Sequence, residues 1–283
     1  MKNRLWTLAL MAALLVGAAG AAYAVPSLGG PSGIVALPNT EIAGTMDMST
    51  AAGYQAFEVS GPAGPDDAVS WSLQVLRGVS AEAELWAAYS RTHDGADTDL
   101  WRLGGKYKVE GLLPADVQLA VGGSIGRWVD GFGLPWVTSM DMYSTSSGVS
   151  DVDVKSLYAV ASRELTPVAS GWESGPRGTR VVANVGIMYI SVDPDAGGNE
   201  ASARPFVGLE MTQGDSVIGL EYRMKDNDLD EKAVFSAVLR RPAGQNFYWE
   251  IGTTNASPIG LGLPDQDFFA RLCFDLPMET GYY

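Results

Sequence analysis

Apolar and polar residues alternate with a period of two through the C-terminal third of the chain. Between Ala203 and Met211, Ala203, Pro205, Val207, Leu209 and Met211 share one face, and Arg204, Phe206, Gly208 and Glu210 share the other. From Ser216 to Met224, Ile218, Leu220, Tyr222 and Met224 oppose Glu221 and Arg223. Within Ala233–Arg240, Phe235, Ala237 and Leu239 oppose Ser236 and Arg240. Phe247, Trp249 and Ile251 oppose Tyr248 and Glu250, and Phe268, Ala270, Leu272 and Phe274 oppose Phe269, Arg271 and Cys273. Successive side chains on a strand point to opposite faces, so each segment reads as a strand with one apolar and one polar surface. Short turn-rich gaps between them predict an antiparallel meander.

The same pattern, less regular, predicts strands at about Thr45–Val59, Val69–Arg77, Ala81–Ser90, Asp99–Lys108 and Asp116–Arg127. It continues at Trp136–Tyr143, Val154–Ser162 and Thr179–Ile190. Most of these segments approach the 9–11 residues that a tilted strand needs to cross a bilayer. Single-chain bacterial barrels take even strand numbers, so the count predicts 12 strands, or 14. Longer connections are predicted at Thr145–Asp153, Thr166–Gly178, Asp193–Ser202 and Thr253–Gln266, with tight turns near Gly78 and at Pro242-Ala243-Gly244.

Composition narrows the choice between a soluble and a membrane sheet. Residues 1–24 read as a cleavable export signal: Lys2 and Arg4, an apolar run from Leu5 to Val16, then Ala22-Tyr23-Ala24. No later stretch approaches the roughly 20 apolar residues of a membrane helix. Without the signal, 17 of the 19 basic residues stand against 33 acidic ones, a net charge of −16. That balance excludes nucleic acid as a partner. The sole cysteine, Cys273, excludes an intrachain disulfide, so the sheet alone must hold an exported chain together. With 34 glycines and only 18% charged residues, the chain departs from the soluble norm of roughly 25% charged.

The charges that remain gather on the polar face. Glu82 and Glu84 share one strand face, Arg102 and Lys106 the next, followed by Glu210, Glu221, Arg223, Arg240, Glu250 and Arg271. Opposite charges on neighbouring strands stabilise each other across a ladder. A soluble barrel hides its apolar face, whereas a membrane barrel turns it outward and keeps charge in the lumen. A soluble periplasmic β-sandwich that binds carbohydrate also alternates and stays open as a reading. Trp71, Trp86, Trp101, Trp136, Tyr107, Tyr143, Tyr222 and Trp249 fall near strand ends, as in interfacial girdles, although core packing places aromatics equally well.

Two stretches carry a resemblance. Leu28-Gly29-Gly30-Pro31-Ser32-Gly33-Ile34-Val35-Ala36-Leu37-Pro38-Asn39-Thr40 resembles the Gly-Pro-Thr-Gly-Leu-Ile-x-x-Pro-Thr-Ala motif of YjbH-like bacterial outer-membrane barrels. Ile218–Phe274 resembles the closing hairpins of that family through Gly219-Leu220-Glu221-Tyr222, Arg240-Arg241-Pro242, Glu250-Ile251-Gly252 and Phe268-Phe269-Ala270-Arg271-Leu272. Ser32 replaces the motif's Thr, and Asp275–Tyr283 extends past the family's usual end. The resemblance implies a non-enzymatic outer-membrane barrel with an accessory role in surface polysaccharide production or export. Its motif residues here are Gly30, Pro31, Ser32, Gly33 and Pro38. Outer-membrane lipid, the barrel-assembly machinery, and polysaccharide or export components are the partners it implies.

No catalytic constellation emerges. Gly122-Gly123-Ser124-Ile125-Gly126 matches a nucleophile-elbow pattern, but inside a strand, and the sole histidine, His93, precedes it in the chain. Strand glycines more simply relieve crowding. One loop histidine cannot build a multi-histidine metal site. Asp226-Asn227-Asp228-Leu229-Asp230-Glu231 opens like a calcium loop but has Glu231 where glycine is needed and Ala237 where glutamate is needed. Neither metal nor cofactor is expected. The sequence therefore predicts an all-β, antiparallel, up-and-down transmembrane barrel: signal 1–24, Gly/Pro-rich segment 25–43, barrel 44–275 and tail 276–283. The transport alternative is a narrow porin whose constriction is lined by Arg102, Lys106, Arg223, Arg240 and Arg271.

Overall fold

The computed structural model describes residues 27, 33–43, 47–61, 64–93, 97–129, 151–165, 179–195, 199–213, 215–226, 232–244, 246–257 and 261–276. Twelve strands follow one another: β1 Met48–Gly61, β2 Gly64–Gly78, β3 Ala83–His93, β4 Asp97–Val109, β5 Val117–Val129 and β6 Val152–Glu164. Then come β7 Thr179–Pro194, β8 Glu200–Gln213, β9 Ser216–Arg223, β10 Val234–Gly244, β11 Phe247–Ala256 and β12 Gly262–Leu276. Each pairs antiparallel with its chain neighbours, and β1 closes on β12 with Met48 opposite Leu276. The soluble sandwich is thereby overturned, because one sheet closes on itself where a sandwich needs two. The predicted strand at Trp136–Tyr143, the export signal and the 277–283 tail lie outside the described residues.

Alternation sorts the wall as predicted. Leu85, Leu103, Ile125, Leu157, Val185, Val207, Tyr222 and Phe274 are exposed on the outside. Their strand neighbours, among them Glu84, Arg102, Lys106, Glu210, Glu221, Arg240, Glu250 and Arg271, are buried. A water-soluble domain does not present so continuous an apolar band, whereas the hydrocarbon of a bilayer requires one. Eleven of the twelve strands have at least 10 residues, enough to cross a bilayer at a tilt. Closure gives every strand two partners, which a spanning sheet needs where no water is present to satisfy an edge.

The start of β1 and the end of β12 define the proximal rim. Connections 79–82, 110–116, 165–178, 214–215 and 245–246 belong to that rim, and the other connections belong to the distal one. The two longest, 130–151 and 165–178, therefore belong to opposite rims, so long connections do not all gather at one end. Thr253–Gln266, predicted as a long loop, is mostly strand: β11 runs to Ala256 and β12 resumes at Gly262. Of the aromatics, Trp71, Trp101, Tyr107 and Tyr222 are exposed on the outer wall. Trp86 instead points into the lumen, where Gly104 leaves room for its ring: a Cβ there would come within 2.5 Å of it.

Candidate functional site

The lumen is the candidate site, and the chain's own N-terminal segment occupies it. Residues 33–38 form a tight turn closed by a bridge between Gly33 and Pro38 and by a bond from Ile34 N to Leu37 O of 3.2 Å. Gly33 fits because a Cβ would sit 2.2 Å from Leu37 O. The turn aims three successive backbone N–H groups at one carboxylate. Val35 N and Leu37 N donate to Glu221 Oε1 at 2.7 and 3.0 Å, and Ala36 N donates to Oε2 at 2.9 Å. Consecutive amides arranged in this way make an anion-binding concavity, here filled by a side chain of β9.

The apolar side chains of the same turn fill the remaining space. Ile34 and Val35 pack with Val238 and Phe269, Ala36 with Val234 and Ala256, and Leu37 with Ala120, Tyr158, Val160 and Phe206. Gly208 and Gly219 admit Ile34, since a Cβ on either would lie 2.6 or 2.2 Å from it. Asn39 Nδ2 then donates to Glu210 Oε1 at 3.1 Å, and Thr40 Oγ1 to Gln118 Oε1 at 3.2 Å. Ala43 N donates to Glu84 Oε2 at 3.0 Å. Glu41 reaches Arg180 at 3.9 Å, and its side chain stays 42% exposed.

The predicted charges divide into groups. Arg240, Glu250 and Arg271 stand directly opposite one another on β10, β11 and β12. Arg240 Nε meets Glu250 Oε1 at 2.5 Å, and Arg271 Nη2 pairs with Oε2 of the same carboxylate. Arg240 Nη2 also donates to Gly33 O at 3.3 Å, which ties the triad to the inserted turn. Glu84 and Lys106 form a second cross-strand pair at 3.2 Å, and Lys106 Nζ donates to Asn39 O at 3.2 Å. Arg102 stands apart with Ser124, and Arg223 is buried near the end of β9. Glu82 is not part of the ladder. Strand β3 begins at Ala83, and Glu82 belongs to the preceding turn, where Ser80 Oγ donates to its Oε2 at 3.0 Å. Of the motif residues, Gly33 and Pro38 are in the inserted turn, while Gly30, Pro31 and Ser32 lie outside the described residues.

The distal half of the lumen is filled by a second insertion. Leu261 and Leu263 form one apolar cluster with Ala68, Leu100, Trp128, Val152, Val154, Ile190 and Val192. Asn255 braces this fold, donating from Nδ2 to Ala233 O at 2.8 Å and to Leu263 O at 3.0 Å. Gln55 Nε2 holds Ala256 O at 2.6 Å across the β1–β12 seam.

Ser124 and His93 are not brought together. Ser124 faces the lumen within 2.7 Å of Ser156 Oγ, and His93 is exposed at the distal end of β3. The row of Ser124 meets β3 near Trp86, seven residues from His93, or roughly 23 Å along the strand. Among the described residues, no group of three or more His, Cys, Asp or Glu is placed to hold a metal ion. The calcium-like run beyond Asp226 lies outside the described residues. Sequence reading missed Asn39, Gln118 and Asn184, which line the lumen as neutral hydrogen-bonding groups. Their signal was parity: Gln118 and Asn184 occupy the same alternate positions as the charges.

A closed antiparallel barrel of twelve strands, apolar outside and charged within, defines an outer-membrane-type β-barrel. No family model matches the chain, and no curated protein matches it. Several solved structures are similar in fold. The translocator domain of the autotransporter NalP from Neisseria meningitidis is 12% identical, covering 83% of this chain and 89% of that one, with a TM-score of 0.46. The KdgM porin is 9% identical over 82% of this chain and 99% of that one, with a TM-score of 0.46. Outer membrane phospholipase A from Escherichia coli is 11% identical over 84% and 94%, with a TM-score of 0.44.

Proposed function

We propose that this chain is a non-enzymatic outer-membrane barrel whose lumen is closed by its own N-terminal segment, with a structural or export-accessory role. The observation that carries the reading is the Glu221 carboxylate, which accepts three backbone N–H groups from residues 35–37 inside the barrel. A diffusion pore keeps its lumen in contact with water, which solvates its charges. Here Arg240, Glu250, Arg271, Glu84 and Lys106 are buried, and they pair with one another. The distal apolar cluster supports closure from the other end. In this reading the outer wall contacts outer-membrane lipid, and the barrel-assembly machinery inserts the chain. The resemblance of Leu28–Thr40 to the YjbH-like motif points the accessory role toward surface polysaccharide and its export components.

Planar-bilayer recording separates this reading from a narrow porin. The purified full chain is expected to give no steady conductance. Stable single-channel steps from the wild-type protein would replace the accessory reading with the porin one.

A further inference from the structure

We propose that Arg102 holds a small inorganic anion of chloride size in a cavity of the lumen wall. Lys106, Arg240 and Arg271 each face a carboxylate. Among the described side chains, Arg102 faces none. Its Nη2 donates to Ser124 Oγ at 2.9 Å, and its guanidinium carbon lies 5.3 Å from the centroid of the Trp86 ring. Its Nε is buried without a hydrogen-bond partner, and the residue as a whole is 7% exposed. An ionised group removed from water is costly until an opposite charge and hydrogen bonds replace its hydration. A hydroxyl and an aromatic face supply only part of that replacement.

A cavity beside Arg102 supplies the place for the rest. Its volume is about 20 Å³, and Gln55, Ser70, Ser72, Gln74 and Ser90 line it from the inward face together with Arg102. A space of that size admits one occupant near the size of water. No carboxylate lines it. Serine hydroxyls rotate to donate, so three of them beside a fixed guanidinium form a neutralising shell for a halide. Water fits, but leaves the charge of Arg102 uncompensated.

Bromide distinguishes these occupants. Crystals of the full chain grown in sodium bromide, measured on both sides of the bromine absorption edge, are expected to show an anomalous peak within hydrogen-bonding reach of Arg102. Arg102→Met is expected to lose that peak. Water without anomalous signal in the wild-type cavity would overturn the proposal, as would a bromide peak that survives in Arg102→Met. A solution measurement stands independently of crystals. The temperature at which the unboiled barrel unfolds on a detergent gel is expected to rise in sodium chloride over sodium gluconate of equal ionic strength, because a ligand bound only to the folded state stabilises it. Arg102→Met is expected to lose this shift. Equal wild-type temperatures in the two salts, or an equal shift in wild type and variant, would count against the site.

Discussion

Replacing Glu250 with alanine is expected to lower the stability of the barrel by about 3–5 kcal/mol, the cost of leaving buried charge uncompensated. One carboxylate serves two guanidinium groups, because Arg240 and Arg271 lie directly across from it on the neighbouring strands. All three side chains are almost fully buried. Removing the carboxylate therefore strands two cations at once, whereas removing either arginine leaves Glu250 one partner. Glu250→Gln preserves the shape and is expected to fall between alanine and wild type, since an amide oxygen still accepts one bond but carries no charge. Urea unfolding in lipid vesicles, followed by tryptophan fluorescence, measures the difference. A loss below about 1 kcal/mol, the range of solvated surface pairs, would show that water reaches the triad.

Glu221→Ala carries the largest expected effect on the inserted segment: its release from the lumen. The variant leaves three N–H groups of residues 35–37 without their acceptor, at about 1–3 kcal/mol for each donor that stays buried. Leaving the lumen lets those groups bond to water, so the substitution favours release of the segment. Gly219→Val reaches the same end by another route, because even a Cβ at that position would lie 2.2 Å from Ile34. Both variants are expected to expose the 33–43 segment to added protease, while the distal cluster around Leu261 and Leu263 stays in place. A Glu221→Ala barrel with the segment still protected would mean that apolar packing of Ile34, Val35 and Leu37 holds it without the carboxylate.

Strand number, polarity and orientation were legible in the sequence because alternation is a local property. The five C-terminal segments carry apolar residues at every second position, and each occupies a strand with that face outward. The ladder followed from the same parity, so Glu250 between Arg240 and Arg271 could be read before any register was known. Glu82 shows where parity stops. It shares the parity of Glu84 but precedes the strand, and a turn closed by Ser80 fixes its place. The inserted turn was harder to read. Residues 25–43 read from composition only as a Gly/Pro-rich segment ahead of the barrel, and nothing local names Glu221 as the acceptor, which lies 186 residues from Val35. The inward fold at Leu261 and Leu263 was missed for the same reason: Thr253–Gln266 looks like a loop until the far wall supplies Trp128 and Val152 for it to pack against. Arg102 gives no local sign that it lacks a partner, because only the closed barrel decides which charges meet.

The most direct test of the central claim is electrophoretic. The full chain is expressed in a double-membraned bacterium, the outer-membrane fraction is isolated, and boiled and unboiled samples are compared on a detergent gel. The protein is expected in that fraction, with the unboiled form migrating differently from the boiled one because the closed, hydrogen-bonded barrel resists detergent at room temperature. Recovery in the soluble fraction with one mobility in both samples would contradict a membrane barrel and return the apolar wall to the status of an unexplained surface.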